Sequence, residues 1–490
     1  MLNTLNVVRL LPELILLVTA LVVIFVDLYA RRRTALWLLP GVSIAGLVLA
    51  FVAAFAQWGA QEVVAGTLAA DSFAFYFKLV AAVTVVLVIL ASVRYMRERT
   101  RFLGEFYAFL LVATLAVFVA VSATDLITVY LGLETLSIVS YVLTGFLRDD
   151  KRSNEAAIKY FLYGAVASAI MLYGFSLLYG LTGTTDLAEI ARRLQAGDVL
   201  ANLEWVAWPA VILAAVGFAF KASLVPFHQW APDAYEGAPT PVTMFLSTVS
   251  KATGFAVMAR VFLTAMPSLG EYWMALLYGL AILTMTVGNL IALRQTSVKR
   301  MLAYSSIAHA GFILMGLVAV TAPAGGHPFN GLDGVLMYVV AYAFTNAGAF
   351  AVVAAVEDGT GDATLDNFAG LIARAPFLAA AMLIFLLSLA GVPPLAGFAA
   401  KLFVFAPVVR QEYYALAVVA LVNAVVAAGY YLKVVKQMFF VEVPERPAFA
   451  VARGMRWALW LMIIGVFGVG IFMNWFAFMS VRSAAGMLGL

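Results

Sequence analysis

Residues 72–95 read SFAFYFKLVAAVTVVLVILASVRY, an almost unbroken apolar run with one lysine and, near its end, one arginine. A helix that crosses a lipid bilayer needs about 20 such residues, because the hydrocarbon core is about 30 Å thick. Runs of this kind recur along the chain with short connections, and they predict about fourteen membrane spans. We number the predicted spans 1 to 14 in chain order, at residues 10–30, 35–57, 72–95, 105–123, 125–146, 155–181, 205–229, 240–264, 273–293, 300–320, 333–356, 375–409, 413–440 and 456–479.

The composition indicates the same class of fold. Of the 490 residues, 64% are hydrophobic and 11% are charged, whereas an ordinary soluble domain is about 25% charged. The runs are continuous rather than alternating, which excludes a β-barrel and favours an all-α polytopic membrane protein. The chain has no cysteine, so disulfides, thiolate metal sites and iron–sulfur clusters within it are excluded.

Charged residues outside the runs indicate the orientation in the membrane. The 30 basic and 26 acidic residues nearly balance, but the basic ones cluster in every second connection, as at Arg97, Arg99 and Arg101. By the positive-inside rule these connections are cytoplasmic. With an even number of spans, both termini are then expected on the extracytoplasmic side. The positive charge is a topology signal and does not predict a nucleic-acid interface.

A few ionisable residues lie within the runs, where a charge facing lipid costs on the order of a few kcal/mol. Lys78 and Arg260 lie toward the ends of their runs, where snorkelling to the interface or a structural ion pair explains them. Because the deeper residues lie on different predicted spans, we interpret them as the groups of a proton path. They are Glu134, Lys221, Lys251, His309 and Lys401.

Buried lysine and glutamate side chains suit proton transfer, since burial disfavours their charged forms and brings them toward exchange at the working pH. A direct ion pair between Glu134 and Lys221 would oppose this effect and keep both groups charged. Breaking that pair would favour release of the lysine proton toward Lys251, His309 and Lys401. Such an electrostatic switch requires neither a metal ion nor a covalent intermediate.

Two of the predicted spans contain helix-breaking residues close to a lysine. In span 7, Pro226 follows Lys221 by five residues, and in span 12 the pair Pro393 and Pro394 precedes Lys401. Proline removes a backbone donor and leaves a carbonyl unpaired. Inside a membrane such a break survives only where it is buried or lines a wet cavity. Since paired broken helices are typical of transporter ion sites, we predict that spans 7 and 12 are broken beside the path.

The order of these features predicts an internal repeat, in which spans 4–8 match spans 9–13. Span 5 then corresponds to span 10 and span 7 to span 12, and five spans per unit give the two units inverted orientations. Glu134 follows Asp125 by nine residues, and His309 follows Arg300 by nine, if Asp125 and Arg300 begin their helices. The expected segments are an N-terminal three-helix segment, two five-helix repeats and a C-terminal helix, at residues 1–104, 105–265, 266–440 and 441–490.

Two long stretches resemble the signatures of a known family. Residues 218–242 read FAFKASLVPFHQWAPDAYEGAPTPV, and residues 298–309 read VKRMLAYSSIAH. Both are similar to motifs of the antiporter-like membrane subunits of respiratory complex I, the proton-translocating NADH:quinone oxidoreductase. Lys251 follows at the position where that family has its eighth-helix lysine. The resemblance covers nearly the whole chain and is strongest between Glu134 and Lys401.

Within this family, the chain is most similar to the subunit N branch. Residues 131–137, LGLETLS, and residues 156–165, AAIKYFLYGA, resemble the fifth-helix and sixth-helix forms of that branch. Lys401 agrees, since subunit M has a glutamate at the corresponding place. The chain also ends soon after the fourteenth predicted span, without the long lateral helix that marks subunit L.

The resemblance implies a role for each buried residue. Glu134 would modulate Lys221, and Lys221 and Lys251 would carry or release the proton. His309 would relay the proton as a neutral or charged group, and Lys401 would connect the path to the extracytoplasmic side.

A further residue, Lys159, is a secondary candidate. An ordinary positive charge at the cytoplasmic end of a span explains Lys159 at least equally well, so both interpretations stay open.

The resemblance also implies a cellular setting. The chain would be a subunit without a redox centre, multi-pass in the bacterial cytoplasmic (inner) membrane, with the antiporter-like subunit M and small subunits such as K and J as partners. NADH, FMN, iron–sulfur clusters and quinone would be bound by the partner subunits. This sequence has neither a glycine-rich dinucleotide fingerprint nor a cysteine to hold them.

Three functions are compatible with such a chain: a proton-translocating subunit of a redox-driven pump, a subunit of a multi-chain sodium/proton antiporter, and a structural scaffold. A scaffold does not require lysines at two broken helices. Sodium favours carboxylate and carbonyl oxygens, whereas lysines dominate the deep ionisable positions here. The sequence therefore favours proton translocation, with the sodium/proton antiporter subunit as the alternative.

Overall fold

A computed structural model describes residues 8–30, 32–196, 198–320, 330–443 and 446–488 of the chain. Among these residues, 13 helices are long and apolar enough to cross a membrane, and two short helices in tandem occupy the place of one more. Together they match the predicted spans one to one, so the all-α polytopic fold is confirmed. The outermost residues of both termini, whose side of the membrane was predicted, lie outside the described residues.

The helices have regular boundaries in most spans. Spans 1 to 6 are Leu11–Tyr29, Arg32–Phe55, Ser72–Arg99, Leu103–Ser122, Leu126–Thr144 and Lys151–Thr182. Spans 7 to 11 are Asp198–Ala222, Thr240–Ala265, Pro267–Ala292, Val298–Val318 and Gly331–Thr360. Spans 12 to 14 are the pair Pro376–Ala390 and Ala396–Arg410, then Tyr414–Phe440, then Arg453–Ile471.

Shorter elements connect or follow the spans. An antiparallel hairpin, β1 (Glu62–Val64) with β2 (Leu68–Ala70), precedes span 3 and pairs Val63 with Ala69. Its strands are too short to stand out from the apolar runs, which did not predict them. The short helices are Leu187–Gln195, Trp230–Gly237, Leu365–Phe368, Leu371–Arg374 and Met473–Leu488.

The C-terminal region differs from the single predicted helix. Span 14 ends at Ile471, and a separate helix begins two residues later at Met473. The break at Phe472 is invisible in the pattern because apolar residues continue on both sides of it.

Both predicted helix breaks are confirmed. Span 7 stops before Ser223, which adopts a left-handed backbone with φ of 60°, and Pro226 follows three residues later. Span 12 stops before Gly391, which is also left-handed with φ of 93°, and Pro394 follows at the same distance. A left-handed residue cannot continue a right-handed helix, and proline offers no amide hydrogen. The two breaks therefore have the same local construction.

Matching local structures support the predicted repeat. An isolated antiparallel bridge joins Asp125, before span 5, to Asp186, after span 6. The same bridge joins Ser297, before span 10, to Thr364, after span 11. Spans 6 and 11 both end at a left-handed glycine. Together with the two breaks, these features match spans 5, 6 and 7 to spans 10, 11 and 12, whereas the boundaries of the four segments stay a prediction.

The finer register of the repeat was predicted incorrectly. Span 10 begins earlier than expected, because the hydroxyl of its N-cap Ser297 accepts a hydrogen bond from the backbone amide of Arg300 at 3.2 Å. Arg300 is therefore already within the first turn. When the two bridges are aligned, Ser306 rather than His309 corresponds to Glu134.

Spans 8, 10 and 11 form the centre of the bundle and are buried on almost every side. Peripheral spans expose large apolar side chains to the surroundings, among them Phe25, Leu172 and Leu421. Outward-facing apolar residues are expected where lipid replaces water. The central position of spans 8 and 10 matters because they carry Lys251 and His309.

Candidate functional site

The break in span 7 places Lys221 at the end of a helix and inside the bundle. Lys221 is the next-to-last residue of that helix and is 2% exposed. The backbone carbonyl of Phe220 accepts a hydrogen bond from the indole of Trp230 at 3.0 Å. The chain after the break is thereby folded back over the helix end that carries the lysine.

The direct partner of Lys221 is a serine. Its Nζ donates to the Oγ of Ser137 on span 5 at 3.0 Å. Glu134, one turn earlier on span 5, accepts a hydrogen bond from the hydroxyl of Ser168 at 2.6 Å. The predicted direct ion pair between Glu134 and Lys221 is therefore wrong. Span 5 is rotated so that Ser137 faces span 7 and Glu134 faces span 6, although the carboxylate remains near enough to attract the lysine charge.

Lys251 lies immediately after a π-helical turn of span 8, Leu246–Ser250. Its Nζ donates to the backbone carbonyl of Ser306 at 2.8 Å and to the hydroxyl of the same residue at 2.5 Å. The ammonium also lies 5.9 Å from the ring centre of Tyr235. Lys251 is 2% exposed. The partners of its ammonium described above are all neutral groups.

The two ring nitrogens of His309 both have tyrosine partners. Nδ1 lies 2.6 Å from the hydroxyl of Tyr338 on span 11, and Nε2 lies 3.1 Å from the hydroxyl of Tyr431 on span 13. Either hydroxyl can donate or accept, depending on the tautomer of the ring. These tyrosines were not predicted, since a tyrosine in an apolar run has no sequence feature that distinguishes it from a residue that only packs.

Lys401 reaches back across the break in span 12. Its Nζ donates to the backbone carbonyls of Leu389 at 3.1 Å and Ala390 at 2.7 Å. The last carbonyls of a helix lack partners within it, so the lysine satisfies the end created by the break. The ammonium also lies 5.4 Å from the ring centre of Phe312, one turn beyond His309.

The structure brings the predicted residues into one buried line. Spans 7 and 8 approach closely at Gly254, where an added Cβ would lie 3.3 Å from the Cβ of Lys221. Lys251 then binds Ser306, one turn before His309 on span 10. Glu134 stands at one end of this line and Lys401 at the other, through the contacts already described.

Several buried hydroxyls along this line have no hydrogen-bond partner within the described ranges. Hydroxyls can both donate and accept, and leaving one buried without a partner costs about 1–3 kcal/mol. A concentration of such groups is unusual for a core that serves packing alone. They belong to Ser223, Tyr235, Ser250 and Tyr342.

The secondary candidate Lys159 lies outside the buried line. Its side chain is 41% exposed, and its Nζ lies 3.0 Å from Asp233 and 2.7 Å from Glu155. Asp233 also binds Arg300 at 2.8 Å. Burial by itself raises the pKa of Asp233, but the hydrogen bonds from Lys159 and Arg300 outweigh it and hold that pKa below its usual value. Lys159 is thus part of a surface charge cluster.

Lys78 and Arg260 both form buried ion pairs. Lys78 Nζ lies 2.6 Å from Glu13 on span 1. Arg260 binds both carboxylate oxygens of Asp71, at 2.8 and 3.0 Å, and donates to the carbonyl of Val121. The structural ion pair was one of the two predicted explanations and is confirmed for both residues. Snorkelling is wrong, since neither side chain reaches the surface.

A second cluster at the ends of spans 3, 8, 10 and 11 was not predicted. Lys299 was counted as a loop charge, yet it is buried and its Nζ lies 3.4 Å from Glu357. Glu357 fell one residue beyond the predicted run 333–356. Two opposite charges at the ends of neighbouring spans were the available signal, but the sequence does not show that those ends meet.

Fold and site together define an antiporter-like membrane protein, with lysines buried at two broken helices and a repeated unit. The chain belongs to the NADH:quinone oxidoreductase/Mrp antiporter transmembrane family, whose sequence profile matches residues 123–427. It is 42% identical over 475 residues to NADH-quinone oxidoreductase subunit N 1 of Koribacter versatilis, covering 94% of this chain and 92% of that relative.

Solved structures agree with this family. A chain of respiratory complex I from Thermus thermophilus superimposes with a TM-score of 0.78 at 32% identity, covering 94% of this chain and 97% of the other. A chain of the Mrp complex from Dietzia sp. DQ12-45-1b has a TM-score of 0.83 at 22% identity, covering 99% and 98%. The second likeness shows a shared fold, whereas the sequence similarity is higher to the complex I chain.

Proposed function

We propose that the chain is a subunit N-type membrane-arm component of NADH:quinone oxidoreductase and that it translocates protons along its buried line. The observation that carries this proposal is the chemistry of the lysine partners. Lys221, Lys251 and Lys401 bind hydroxyls and carbonyls, whereas Lys78 binds a carboxylate. A lysine paired with a buried carboxylate is held in its charged form. A lysine among neutral partners can release its proton without leaving a partner charge uncompensated.

The proton would move between neighbouring members of the line. Ser137 accepts from the ammonium of Lys221 and can donate to its neutral amine, so that the contact survives either state. Lys221 would pass its proton toward Lys251 on the adjacent span. Lys251 would pass it through span 10 to His309, which is held between two hydroxyls.

Lys401 would receive the proton at the far end. The carbonyls of Leu389 and Ala390 stabilise its ammonium. His309 and Lys401 both contact Phe312, with the imidazole centre 6.0 Å and the ammonium 5.4 Å from the centre of its ring. Under the predicted orientation, release from Lys401 leads to the extracytoplasmic side.

Glu134 would act on Lys221 through its charge and not through a direct bond. Glu134 lies one turn before Ser137, the direct partner of Lys221, and a carboxylate near a lysine favours its protonated form. Any movement of span 5 or span 6 that shifts Glu134 away would weaken this attraction, so that proton release from Lys221 becomes easier. This replaces the directly paired switch expected from the sequence.

The proposed setting follows from the relatives. The bound NADH, FMN, iron–sulfur clusters and quinone would be held by partner subunits, which we propose to include the antiporter-like subunit M and the small subunits K and J. The site would lie in the bacterial cytoplasmic membrane, with both termini extracytoplasmic according to the basic connections. In this arrangement the chain is a translocating part of an enzyme without a redox centre of its own.

The alternative is a subunit of a multi-chain sodium/proton antiporter, favoured by the high TM-score to an Mrp chain. Purification of the chain with its native partners, followed by mass spectrometry, separates the two. Recovery with NADH-oxidising and iron–sulfur subunits, and NADH-driven proton uptake in sodium-free vesicles, is the expected result. Recovery with small hydrophobic chains alone would overturn the proposal in favour of the antiporter.

A further inference from the structure

A cavity of about 200 Å³ lies at the end of the bundle that carries the basic connections. Its wall combines the ends of spans 3, 10 and 11 with the segment that precedes span 8. It is lined by polar and charged groups on all of these elements, including Tyr95, Arg99, Glu236, Lys299, Glu357 and Asp362. This cavity is separate from the buried line of lysines described above.

Glu357 is held in the wall of this cavity by three donors. Its Oε2 accepts a hydrogen bond from the hydroxyl of Tyr95 at 3.1 Å and another from the hydroxyl of Thr240. Its Oε1 lies 3.4 Å from Nζ of Lys299, and that Nζ donates to the backbone carbonyl of Ala238 at 2.8 Å. The Glu357 side chain is 12% exposed, so it is anchored in the protein while it still lines the cavity.

Polar side chains on span 8 lead from Glu357 toward Lys251. Thr240 begins the span at the carboxylate, and Thr243, Ser247 and Ser250 follow at intervals of three or four residues before Lys251. Residues at this spacing lie on one face of a helix. Ser247 and Ser250 lie in the π-helical turn Leu246–Ser250, which shifts this face and ends directly before Lys251.

Span 11 supplies the opposite side of this face. The amide of Asn346 donates to the hydroxyl of Ser247 at 2.8 Å. Asn346 precedes Glu357 by eleven residues, which is about three helical turns and returns to the same side of the helix. The Oδ1 of Asn346 and the hydroxyls of Ser250 and Tyr235 are buried and have no hydrogen-bond partner in the described part of the chain. These groups are able to accept or donate along the face.

One apolar residue of span 11 packs against Tyr235, next to the route. Phe350 lies on span 11 between Asn346 and Glu357 and is completely buried. Its ring stands edge-on to the ring of Tyr235, with the centres 6.3 Å apart. Phe350 therefore places an apolar ring against Tyr235.

We propose that Glu357 is the proton-uptake group of the chain and supplies Lys251. A proton from the aqueous phase in the cavity binds to the Glu357 carboxylate. It then passes along the hydroxyls of span 8 to the neutral amine of Lys251, and the carboxylate is restored. Lys299 balances the negative charge of Glu357 while it waits for a proton. This inference rests on the proposed function, since it requires protons to move through Lys251.

The competing explanation is that Glu357 only ties spans 3, 8, 10 and 11 together. The two explanations differ in what the side chain must be able to do. Glutamine keeps the size and the hydrogen-bonding oxygen of glutamate but does not take up a proton, whereas aspartate keeps the ionisable carboxyl and shortens the side chain. A proton-uptake group requires an ionisable carboxyl group. A purely structural contact requires the size and the hydrogen-bonding oxygen of the side chain.

The test compares Glu357→Gln, Glu357→Asp and Asp358→Asn in the complete complex in membrane vesicles, with NADH oxidation and proton uptake measured together. Asp358 is the matched control, because it is adjacent and pairs with Arg99 at 2.5 Å but lies off the route. We expect Glu357→Gln to lower this subunit's share of the proton uptake per NADH by about tenfold. Glu357→Asp should retain most of the uptake, and Asp358→Asn should resemble the unmodified complex. Normal uptake in Glu357→Gln, or an equal loss in both Glu357 variants, overturns the inference.

Two further variants keep the result interpretable. Ser247→Ala removes a hydroxyl from the route without touching a charge, and we expect it to lower uptake at least about threefold. If the Glu357→Gln complex does not assemble, normal uptake in Ser247→Ala overturns the inference. Lys221→Ala in the same vesicles tests the proposed function itself. Loss in Lys221→Ala with normal uptake in Glu357→Gln overturns only the uptake site, whereas normal uptake in Lys221→Ala overturns both.

Discussion

Nζ of Lys221 lies 3.0 Å from Oγ of Ser137, and this serine stands where a carboxylate partner was expected. Glu134 is one turn away on the same span and binds Ser168 instead. The lysine thus keeps a neutral partner within hydrogen-bond distance and a carboxylate at longer range. This arrangement stabilises the ammonium less than a direct ion pair does, and so it leaves the proton easier to remove.

Replacement of Lys221 should stop proton movement without unfolding the bundle. We expect Lys221→Ala to reduce NADH-driven proton uptake in vesicles by about tenfold through this subunit, since the transferring group is gone. The matched control is the double variant Lys78→Met with Glu13→Gln, which removes a buried ion pair outside the line. An equal loss in that control would contradict the distinction between the two lysines.

Removal of the Ser137 hydroxyl should slow proton uptake more than removal of an equivalent hydroxyl nearby. Ser140 lies one turn further along span 5, and its hydroxyl donates to the carbonyl of Leu136 in its own helix at 2.6 Å. We expect Ser137→Ala to slow proton uptake about threefold or more, because Lys221 loses its direct partner, and Ser140→Ala to have little effect. The rates of uptake in matched vesicle preparations check this. Equal rates in the two variants would remove Ser137 from the path.

The role of His309 as a proton relay can be tested by removing the hydroxyl oxygen of one neighbouring tyrosine at a time. Tyr338→Phe deletes the hydroxyl at Nδ1, and Tyr431→Phe deletes the hydroxyl at Nε2. We expect each to slow proton uptake severalfold, on the order of the contribution of a positioned proton-transfer group. Tyr430→Phe is the control, because its hydroxyl donates to Asn289 at 2.9 Å and is not a partner of His309. An equal effect of all three would indicate packing rather than proton relay.

The ion pair between Arg260 and Asp71 should contribute stability rather than transport. Arg260→Met leaves the Asp71 carboxylate buried without its partner, which costs about 3–5 kcal/mol. We expect a clear fall in the thermal stability of the purified complex and recovery of most of it in the double variant Arg260→Met with Asp71→Asn. Unchanged stability in the single variant would show that the pair is not desolvated in the assembled complex.

The membrane class and both broken helices followed from local properties of the chain. An apolar run of sufficient length can be stable only in lipid or in a deeply buried core, and the prolines beside Lys221 and Lys401 remove backbone hydrogen bonds from a helix. The free-energy cost of placing a charge in lipid distinguished the lysines within the spans from the charges in the connections. Lys299 was not recognised as a buried charge, because burial at a helix end depends on which other elements cover that end.

The register of the repeat shows a different limit. Arg300 was taken as the start of span 10, but Ser297 caps the helix three residues earlier. Shifting the start by one turn changes which residue corresponds to Glu134. Local patterns locate a span well and its first residue poorly, since capping depends on a single side-chain contact.

The amino-acid order alone was sufficient to place Lys221, Lys251, His309 and Lys401 within the membrane, because the hydrophobicity around each of them is a local property. Their partners were decided by the tertiary structure. Ser137 is 84 residues from Lys221 in the chain, and Ser306 is 55 residues from Lys251. Which side chain meets a buried lysine depends on how neighbouring helices are rotated and packed, and that rotation is set by contacts along the whole bundle.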